Sequence, residues 1–114
     1  MCDNIPTIDL ASQVVAVGNS TGDKIDKFSE FGLTPVKSDM VSAPLIKECY
    51  ANFECQLSDS NLVGEYGLFI WEVVMAHVAI SVRNPKTLHY RGQGEFMVAG
   101  DKISFREDFK PQNL

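Results

Sequence analysis

The sequence has no concentration of positive charge. Its 10 Lys and Arg residues are outnumbered by 15 Asp and Glu residues, which gives a net charge of -5 at pH 7, and the basic residues form no run. Nucleic acids and anionic membrane surfaces are bound through clustered Lys and Arg side chains. We therefore expect no nucleic-acid partner and no membrane partner, and the acidity itself favours solubility.

Long hydrophobic segments are also missing. The longest apolar stretch, residues 68–82, is shorter than the roughly 20 residues that span a bilayer, and it contains Glu72 and His77. The first residues show no basic region followed by an apolar one, as a signal peptide would. These observations predict a cytoplasmic protein.

Cysteine is scarce and odd in number. Three cysteines favour free thiols over a disulfide framework. If residues 49–57 form a strand, Cys49 and Cys55 lie roughly 20 Å apart, whereas a disulfide needs Cα atoms within about 7 Å. We predict three reduced, unbridged thiols.

Several familiar catalytic motifs are absent as well: the sequence contains no CxxC, HExxH or GxxxxGK[ST] pattern. Of its two histidines, His77 lies in an apolar stretch, where a hydrogen-bonded core histidine is favoured over a ligand. His89 is interpreted as a strand-edge residue, with ligand contact as the alternative. With no Cys or carboxylate clustered near both histidines, we predict no metal site, and no catalytic residue can be assigned.

What is present is a change of periodicity along the chain. Apolar residues at helical spacing predict a helix that begins after Thr7 and ends at Gly18, and a second short helix over residues 23–30. Lys27 in this second helix indicates either an anion site or a solvated helix face. From Ala51 the period becomes two, which predicts a strand that buries Ala51, Phe53, Cys55 and Leu57 on one face.

Further strands are predicted over residues 68–82, 87–91, 95–99 and 102–106. Gly92-Gln93-Gly94 indicates a turn or bulge, or a place where backbone approaches a ligand. Gly100-Asp101 predicts a tight hairpin turn. Together the elements predict one α+β domain over residues 1–114, with two short N-terminal helices followed by an antiparallel, partly open split β-barrel. Because strand 68–82 is apolar on both faces, we expect self-association or a complementing chain.

Several segments, in this order and spacing, resemble the C-terminal portion of the flavin reductase family, the FMN-binding split barrels that include flavoredoxin. The segments that carry the resemblance are Asn4-Ile5-Pro6-Thr7, Ser20-Thr21-Gly22-Asp23, Asp26-Lys27-Phe28, Gly32-Leu33-Thr34-Pro35, Ala43-Pro44-Leu45-Ile46, Glu48-Cys49, Asn52-Phe53-Glu54-Cys55, residues 68–78, and Tyr90 with Gly92, Gly94, Glu95 and Phe96.

The resemblance implies an antiparallel barrel, a homodimer with FMN near the subunit interface, and hydride transfer between a nicotinamide and the flavin. Ser20 and Lys27 match positions near the flavin phosphate, and Tyr90 matches an aromatic position near the cofactor. The chain departs from the family at Tyr66, where many members carry histidine, and at Trp71, where glycine is usual.

The family's N-terminal half has no counterpart in this sequence, so the resemblance implies a domain that is incomplete as an enzyme on its own. We expect FMN to bind weakly or to be absent from the isolated chain. The alternative is a non-catalytic remnant or a dimerisation and interaction module without flavin.

Overall fold

Antiparallel β-strands dominate the structure, a computed structural model that describes residues 1–113. The described helices are α1 (Ala11–Gly18), α2 (Lys27–Phe31) and α3 (Val63–Tyr66). The described strands are β1 (Cys2–Ile5), β2 (Pro35–Val36), β3 (Leu45–Ile46), β4 (Ala51–Asp59), β5 (Ile70–Val78), β6 (Leu88–Gly92) and β7 (Glu95–Val98). The predicted α+β class with antiparallel sheets is confirmed. Within residues 1–113, none of the helices combines the length and the apolar character needed to cross a bilayer.

The largest sheet has the strand order β1-β4-β5, with both pairings antiparallel. β1 pairs with the first half of β4, so that Cys2 lies opposite Glu54 and Ile5 opposite Ala51. β5 pairs along the whole of β4. The smaller pairs β2–β3 and β6–β7 are hairpin-like ladders.

Two irregularities curl this sheet. The register passes from Glu54 opposite Met75 to Cys55 opposite Val73, which leaves Val74 as an extra residue on β5. A second shift between Leu57 and Asp59 leaves Ser58 extra on β4. Bulges bend a strand and increase its twist, and the curled sheet agrees with the predicted partly open barrel.

The predicted helices exist, but both begin later than expected. A 3₁₀ turn over Ile8–Leu10 precedes α1. α2 starts at Lys27 because Asp26 is its N-cap: the Asp26 carboxylate accepts hydrogen bonds from the Phe28 N–H at 3.0 Å and the Ser29 hydroxyl at 2.6 Å. Gly32, with φ 66°, ends α2 in the left-handed conformation that glycine adopts readily.

The predicted buried face of β4 is confirmed at Ala51 and Cys55, but the expectation that only this face is buried is wrong. Glu54 is 0% exposed and Asn52 is buried, whereas Leu57 is 46% exposed. The segment between β2 and β4 packs over the polar face of β4 and offers it hydrogen-bonding partners. Asn52, for example, accepts from the Ile46 N–H at 3.0 Å and donates to the Ile46 carbonyl at 3.2 Å.

The prediction of a final strand over residues 102–106 is also wrong. β7 ends at Val98, and residues 106–108 form a 3₁₀ turn. A two-residue hairpin turn needs positive φ angles, and Gly100 is not among the glycines that have one. The positive angles lie instead in the β6–β7 turn, at Gly92, Gln93 and Gly94.

Candidate functional site

Ser20 and Lys27 meet at the C-terminal end of α1. The Val17 carbonyl accepts a hydrogen bond from the Lys27 ammonium at 3.0 Å and from the Ser20 hydroxyl at 3.1 Å. Lys27 reaches this carbonyl because it is the first residue of α2, which packs beside α1. A cation here is favourable, since the last carbonyls of a helix carry partial negative charge.

Tyr90 lies in a cleft at the same end of α1. The cleft has a volume of about 520 Å³ and lies between α1 and the β6–β7 hairpin, with Val14, Val15, Gly18, Asn19, Tyr90, Gly94 and Phe96 as its lining. The structure therefore brings the three predicted site residues to one region, because Ser20 directly follows the lining residue Asn19.

The hairpin turn fixes the orientation of the Tyr90 ring. Tyr90 and Phe96 are cross-strand partners, and their rings are tilted with centroids 5.1 Å apart. The Gly94 N–H donates to the Tyr90 hydroxyl at 3.4 Å. Phe96 was not predicted as a site residue, although the glycine turn centred on Gln93 already implied its pairing with Tyr90.

A second, smaller cleft lies on another side of α1. It has a volume of about 210 Å³ and a mainly apolar lining that includes Asn4, Leu10, Gln13, Leu33 and Cys49. The Asn4 Oδ1 atom is buried and has no hydrogen-bond partner among the described residues. Burying a hydrogen-bond acceptor without a donor destabilises the folded state. The Asn4 Oδ1 atom therefore leaves this cleft with an unpaired acceptor.

The most buried charged group of the described chain is Glu54. Its carboxylate accepts hydrogen bonds from the backbone N–H groups of Asp39 at 3.0 Å, Met40 at 2.5 Å and Val41 at 3.1 Å. The His77 Nε2 atom lies 2.7 Å from Oε1. Burial alone would raise the pKa of Glu54, but the three N–H donors and His77 lower it to about 2.

His77 is thus the hydrogen-bonded histidine that the sequence predicted, and the fold brings two carboxylates, those of Glu54 and Asp39, close to it. Asp39 Oδ2 lies 3.9 Å from Nε2, because residues 38–43 pack over the sheet and bring this carboxylate close to His77 and Glu54. Both Glu54 oxygens are already occupied as acceptors, so the cluster fastens this segment to β4. His89 is exposed and hydrogen-bonded only locally, with Thr87 Oγ1 at 3.0 Å.

All three cysteines are free thiols. Partial burial, with a smaller contribution from the Glu48 charge, raises the pKa of Cys49 to about 11. Cys49 is therefore an unreactive thiol near neutral pH, because the thiolate is the nucleophilic form.

The two residues that depart from the family pattern lie away from the Tyr90 cleft. Trp71 is on β5, where its ring stacks on Phe69 with centroids 6.3 Å apart, and Tyr66 is the last residue of α3. Neither is among the described residues that line the cleft.

The curled antiparallel sheet and the cleft between a helix and a glycine-rich hairpin define a small α+β protein of the partly open barrel type. The sequence model of the flavin reductase like domain matches residues 4–96. The chain therefore belongs to the flavin reductase-like family.

Related sequences come from archaea and bacteria. An uncharacterised protein of Archaeoglobus fulgidus is 39% identical over 70 residues, which is 61% of this chain and 40% of that protein. The uncharacterised protein YddH of Escherichia coli K12 is 30% identical over 112 residues, which is 88% of this chain and 59% of that protein. The chain thus spans about two fifths to three fifths of these relatives.

Solved structures agree on the fold. Flavoredoxin of Desulfovibrio vulgaris (Miyazaki F) superposes with a TM-score of 0.79 at 24% identity, over 92% of this chain and 61% of that one. An FMN-binding domain of a flavin reductases-like enzyme from Shewanella baltica OS155 gives a TM-score of 0.74 at 23% identity, over 90% of this chain and 61% of that one.

Proposed function

We propose that this chain is the FMN-binding part of a flavin reductase-like oxidoreductase. One observation carries the proposal: Lys27 and Ser20 converge on the Val17 carbonyl, directly beside a cleft that presents the Tyr90 and Phe96 rings. A flavin mononucleotide needs a cation and hydroxyl donors for its phosphate and an apolar, aromatic surface for its ring system.

The cleft volume and the chemical groups of these residues are of the kind that FMN requires. The cleft volume of about 520 Å³ lies within the range of roughly 300–1,000 Å³ typical of small-molecule sites. The Lys27 ammonium uses one of its three N–H donors on Val17, which leaves two for phosphate oxygens. Lys27 would hold the phosphate together with Ser20, whose single O–H donor would have to turn from the Val17 carbonyl to a phosphate oxygen, and Tyr90 would contact the ring.

The same residues limit the affinity. Lys27 is a single cation in an acidic chain of net charge -5, whereas the phosphate carries close to two negative charges. We therefore propose that FMN binds the isolated chain weakly. When bound, FMN supplies hydride chemistry. The chain's own contribution is to position the cofactor, and the electron donor we propose is a nicotinamide.

Lys27→Ala tests this assignment. FMN is titrated into the protein while its fluorescence is followed, and we expect Lys27→Ala to raise the Kd by about tenfold or more because it removes a charge-assisted contact. Lys24→Ala is the matched control, since Lys24 is an exposed lysine in the same segment and should leave the Kd unchanged. A submicromolar Kd for FMN that is the same in the wild-type protein and in Lys27→Ala would contradict the proposal.

A second function is favoured by the fact that Lys27 already has a structural partner in the Val17 carbonyl. In this alternative the chain is an interaction module without flavin, and Lys27 only joins α2 to the end of α1. The alternative predicts a Lys27→Ala variant that loses thermal stability, and an FMN titration that has no effect on either protein.

A further inference from the structure

The smaller cleft beside α1 contains a polar group that the flavin site does not use. This cleft, the Asn4 cleft, has a volume of about 210 Å³, and its lining includes Asn4, Leu10, Gln13, Leu33, Ile46 and Cys49. The Asn4 Oδ1 atom is buried and has no hydrogen-bond partner among the described residues. Most buried polar atoms in folded proteins have such a partner, so an unpaired acceptor in the wall of a cleft points to a ligand that carries a donor.

The neighbouring strand does not supply this donor. Asn52 lies opposite Asn4 in the β1–β4 pair, and residues in opposite positions share a face of the sheet. The Asn52 amide is turned instead to Ile46: its Oδ1 accepts from the Ile46 N–H at 3.0 Å, and its Nδ2 donates to the Ile46 carbonyl at 3.2 Å. These two bonds hold the Ile46 side of the cleft in place and leave Asn4 Oδ1 without a donor.

The Asn4 cleft presents no charge to a ligand. Among the described residues, its lining contains no Asp, Glu, Lys, Arg or His. Its polar side chains are those of Asn4, Gln13 and Cys49, and the raised pKa of Cys49, about 11, keeps this thiol neutral near pH 7. Because burying an ion without a counter-charge is strongly unfavourable, the cleft selects uncharged ligands. In this respect it differs from the proposed phosphate site at Lys27.

The volume of the Asn4 cleft restricts the ligand to a small molecule. The cleft lies below the roughly 300 Å³ at which sites for drug-sized ligands begin. An apolar cavity of roughly 150 Å³ with an aliphatic and aromatic lining is large enough to bind benzene. A rigid ring is favoured over a flexible chain of the same size because it loses less conformational freedom on binding. The cleft therefore has the size of one six-membered ring with a small substituent.

A water molecule is a poorer partner for Asn4 Oδ1 than such a ring. A buried water needs roughly two to four polar partners. Apart from Gln13 and Cys49, the other lining residues are apolar: Pro6, Leu10, Val14, Val17, Leu33 and Ile46. A donor attached to an apolar ring meets both requirements, since the ring packs on these side chains while the donor pairs with the acceptor.

We propose that the Asn4 cleft binds a small, uncharged aromatic molecule with one O–H or N–H donor, such as a simple phenol, whose donor pairs with Asn4 Oδ1. The χ2 torsion of asparagine is broad, so the amide can turn its shielded oxygen toward the donor. The ring packs against Leu10 and Leu33. The proposal does not depend on flavin binding, because neither Lys27 nor Tyr90 lines this cleft.

Two probes that differ in one group test the proposal: phenol, and fluorobenzene, which has nearly the same shape but no donor. Each is titrated into the ¹⁵N-labelled full chain, and the chemical shifts of the backbone amides are followed by NMR. So few non-hydrogen atoms support only weak binding, with a Kd on the order of a millimolar. We expect saturable shifts at the amides of Leu10, Leu33 and Cys49, and none in β6 and β7.

Asn4→Leu tests the acceptor, because leucine has about the size of asparagine but accepts no hydrogen bond. We expect its Kd for phenol to rise about tenfold, since the phenol O–H is then buried without a partner, while its Kd for fluorobenzene does not rise. Asn61→Leu is the matched control, since Asn61 is an exposed asparagine in the turn after β4, and it should leave both Kd values unchanged. Leu33→Trp fills the cleft and should abolish binding of both probes, which keeps the test decisive if Asn4→Leu does not fold.

Three results would overturn the proposal. In the first, phenol causes no saturable shift at the amides of the Asn4 cleft in the wild-type protein. In the second, the shifts are confined to the amides around Tyr90 and Gly94, which would place the probe in the larger cleft. In the third, a folded Asn4→Leu variant binds phenol and fluorobenzene with the same ratio of Kd values as the wild type, or Leu33→Trp still binds phenol. None of these readouts involves flavin, so the outcome is separable from that of the FMN titration.

Discussion

At the scale of single residues, Glu54 shows how a strand can bury its polar side chains. The alternation in residues 51–57 predicted that Glu54 and Asn52 face water, yet Glu54 is fully buried. Alternation reports which residues share a face, but not whether a later or earlier segment covers that face. Here residues 38–43 cover it, and their backbone N–H groups supply the donors that a buried carboxylate requires.

Glu54→Gln should destabilise the protein, because an amide cannot accept all the hydrogen bonds of the carboxylate and places its own N–H₂ group against backbone donors. We expect the Tm at pH 7 to fall by about 5 °C or more. Glu72→Gln, at an exposed position of β5, should have little effect. An unchanged Tm for Glu54→Gln, measured by circular dichroism, would contradict this account of the buried carboxylate.

The same interaction predicts the pH range of the effect. The pKa of Glu54 is lowered from 4.5 to about 2, so the unfolded chain binds the proton more readily than the folded one. The stabilisation is therefore fully present above about pH 4.5 and is lost as the pH falls toward about 2. The Tm difference between wild type and Glu54→Gln should shrink across this range.

Cys49 should be slow to react with alkylating agents. A pKa of about 11 instead of 9.0 leaves about 100-fold less thiolate at pH 8. Mass spectrometry of timed iodoacetamide reactions should show Cys49 modified far more slowly in the native protein than in the urea-unfolded one, where all three thiols react. Rapid native modification of Cys49, or fewer than three reactive thiols after unfolding without reductant, would contradict the structure.

The candidate site illustrates what the sequence could and could not predict. The resemblance selected Ser20, Lys27 and Tyr90, and the fold brings their surroundings together at one end of α1. Spacing alone could not have done so, since Tyr90 lies on a hairpin more than sixty positions beyond Lys27. The contact of Lys27 with Val17 could not be predicted from the sequence either, because it depends on how α2 packs against α1.

At the scale of elements, the sequence predicted whether a segment is a helix or a strand more accurately than it predicted where that element begins and ends. The helical spacing of apolar residues predicted α1 and α2, and the β-branched residues predicted β5. These signals are local, because each depends only on residues within the same segment. The ends depend on single hydrogen bonds: Asp26 caps α2 and so delays its start. β1 and α3 were not predicted, since Cys2–Ile5 is a strand only because β4 lies beside it.

The β6–β7 turn provides a test at this scale. Gly94 has φ 81° with open space around its Cα, so Gly94→Ala should destabilise the hairpin by about 1–2 kcal/mol through backbone strain alone. Gly100→Ala is the control, because Gly100 has open space but no positive φ. Hydrogen exchange of the β6 and β7 amides should accelerate in Gly94→Ala only. Equal protection in both variants would show that the turn tolerates a side chain.

At the scale of the whole molecule, the sequence predicted an apolar stretch that lacks a cover, and the structure agrees. The buried apolar residues of the described chain are Leu45, Ala51 and Cys55, a small core for 114 residues. How the rest of the apolar surface is covered could not be deduced from local patterns, because the periodicity of a strand does not report what packs against its faces.

The phosphate site that we propose at Ser20 and Lys27 is tested most directly by comparing FMN with riboflavin. The two ligands share the ring system, but riboflavin lacks the phosphate. Fluorescence titrations should give a Kd for FMN about tenfold or more below that for riboflavin, and Lys27→Ala should remove this difference. Equal affinities of the wild-type protein for both ligands, or a preference for FMN that survives Lys27→Ala, would contradict the account.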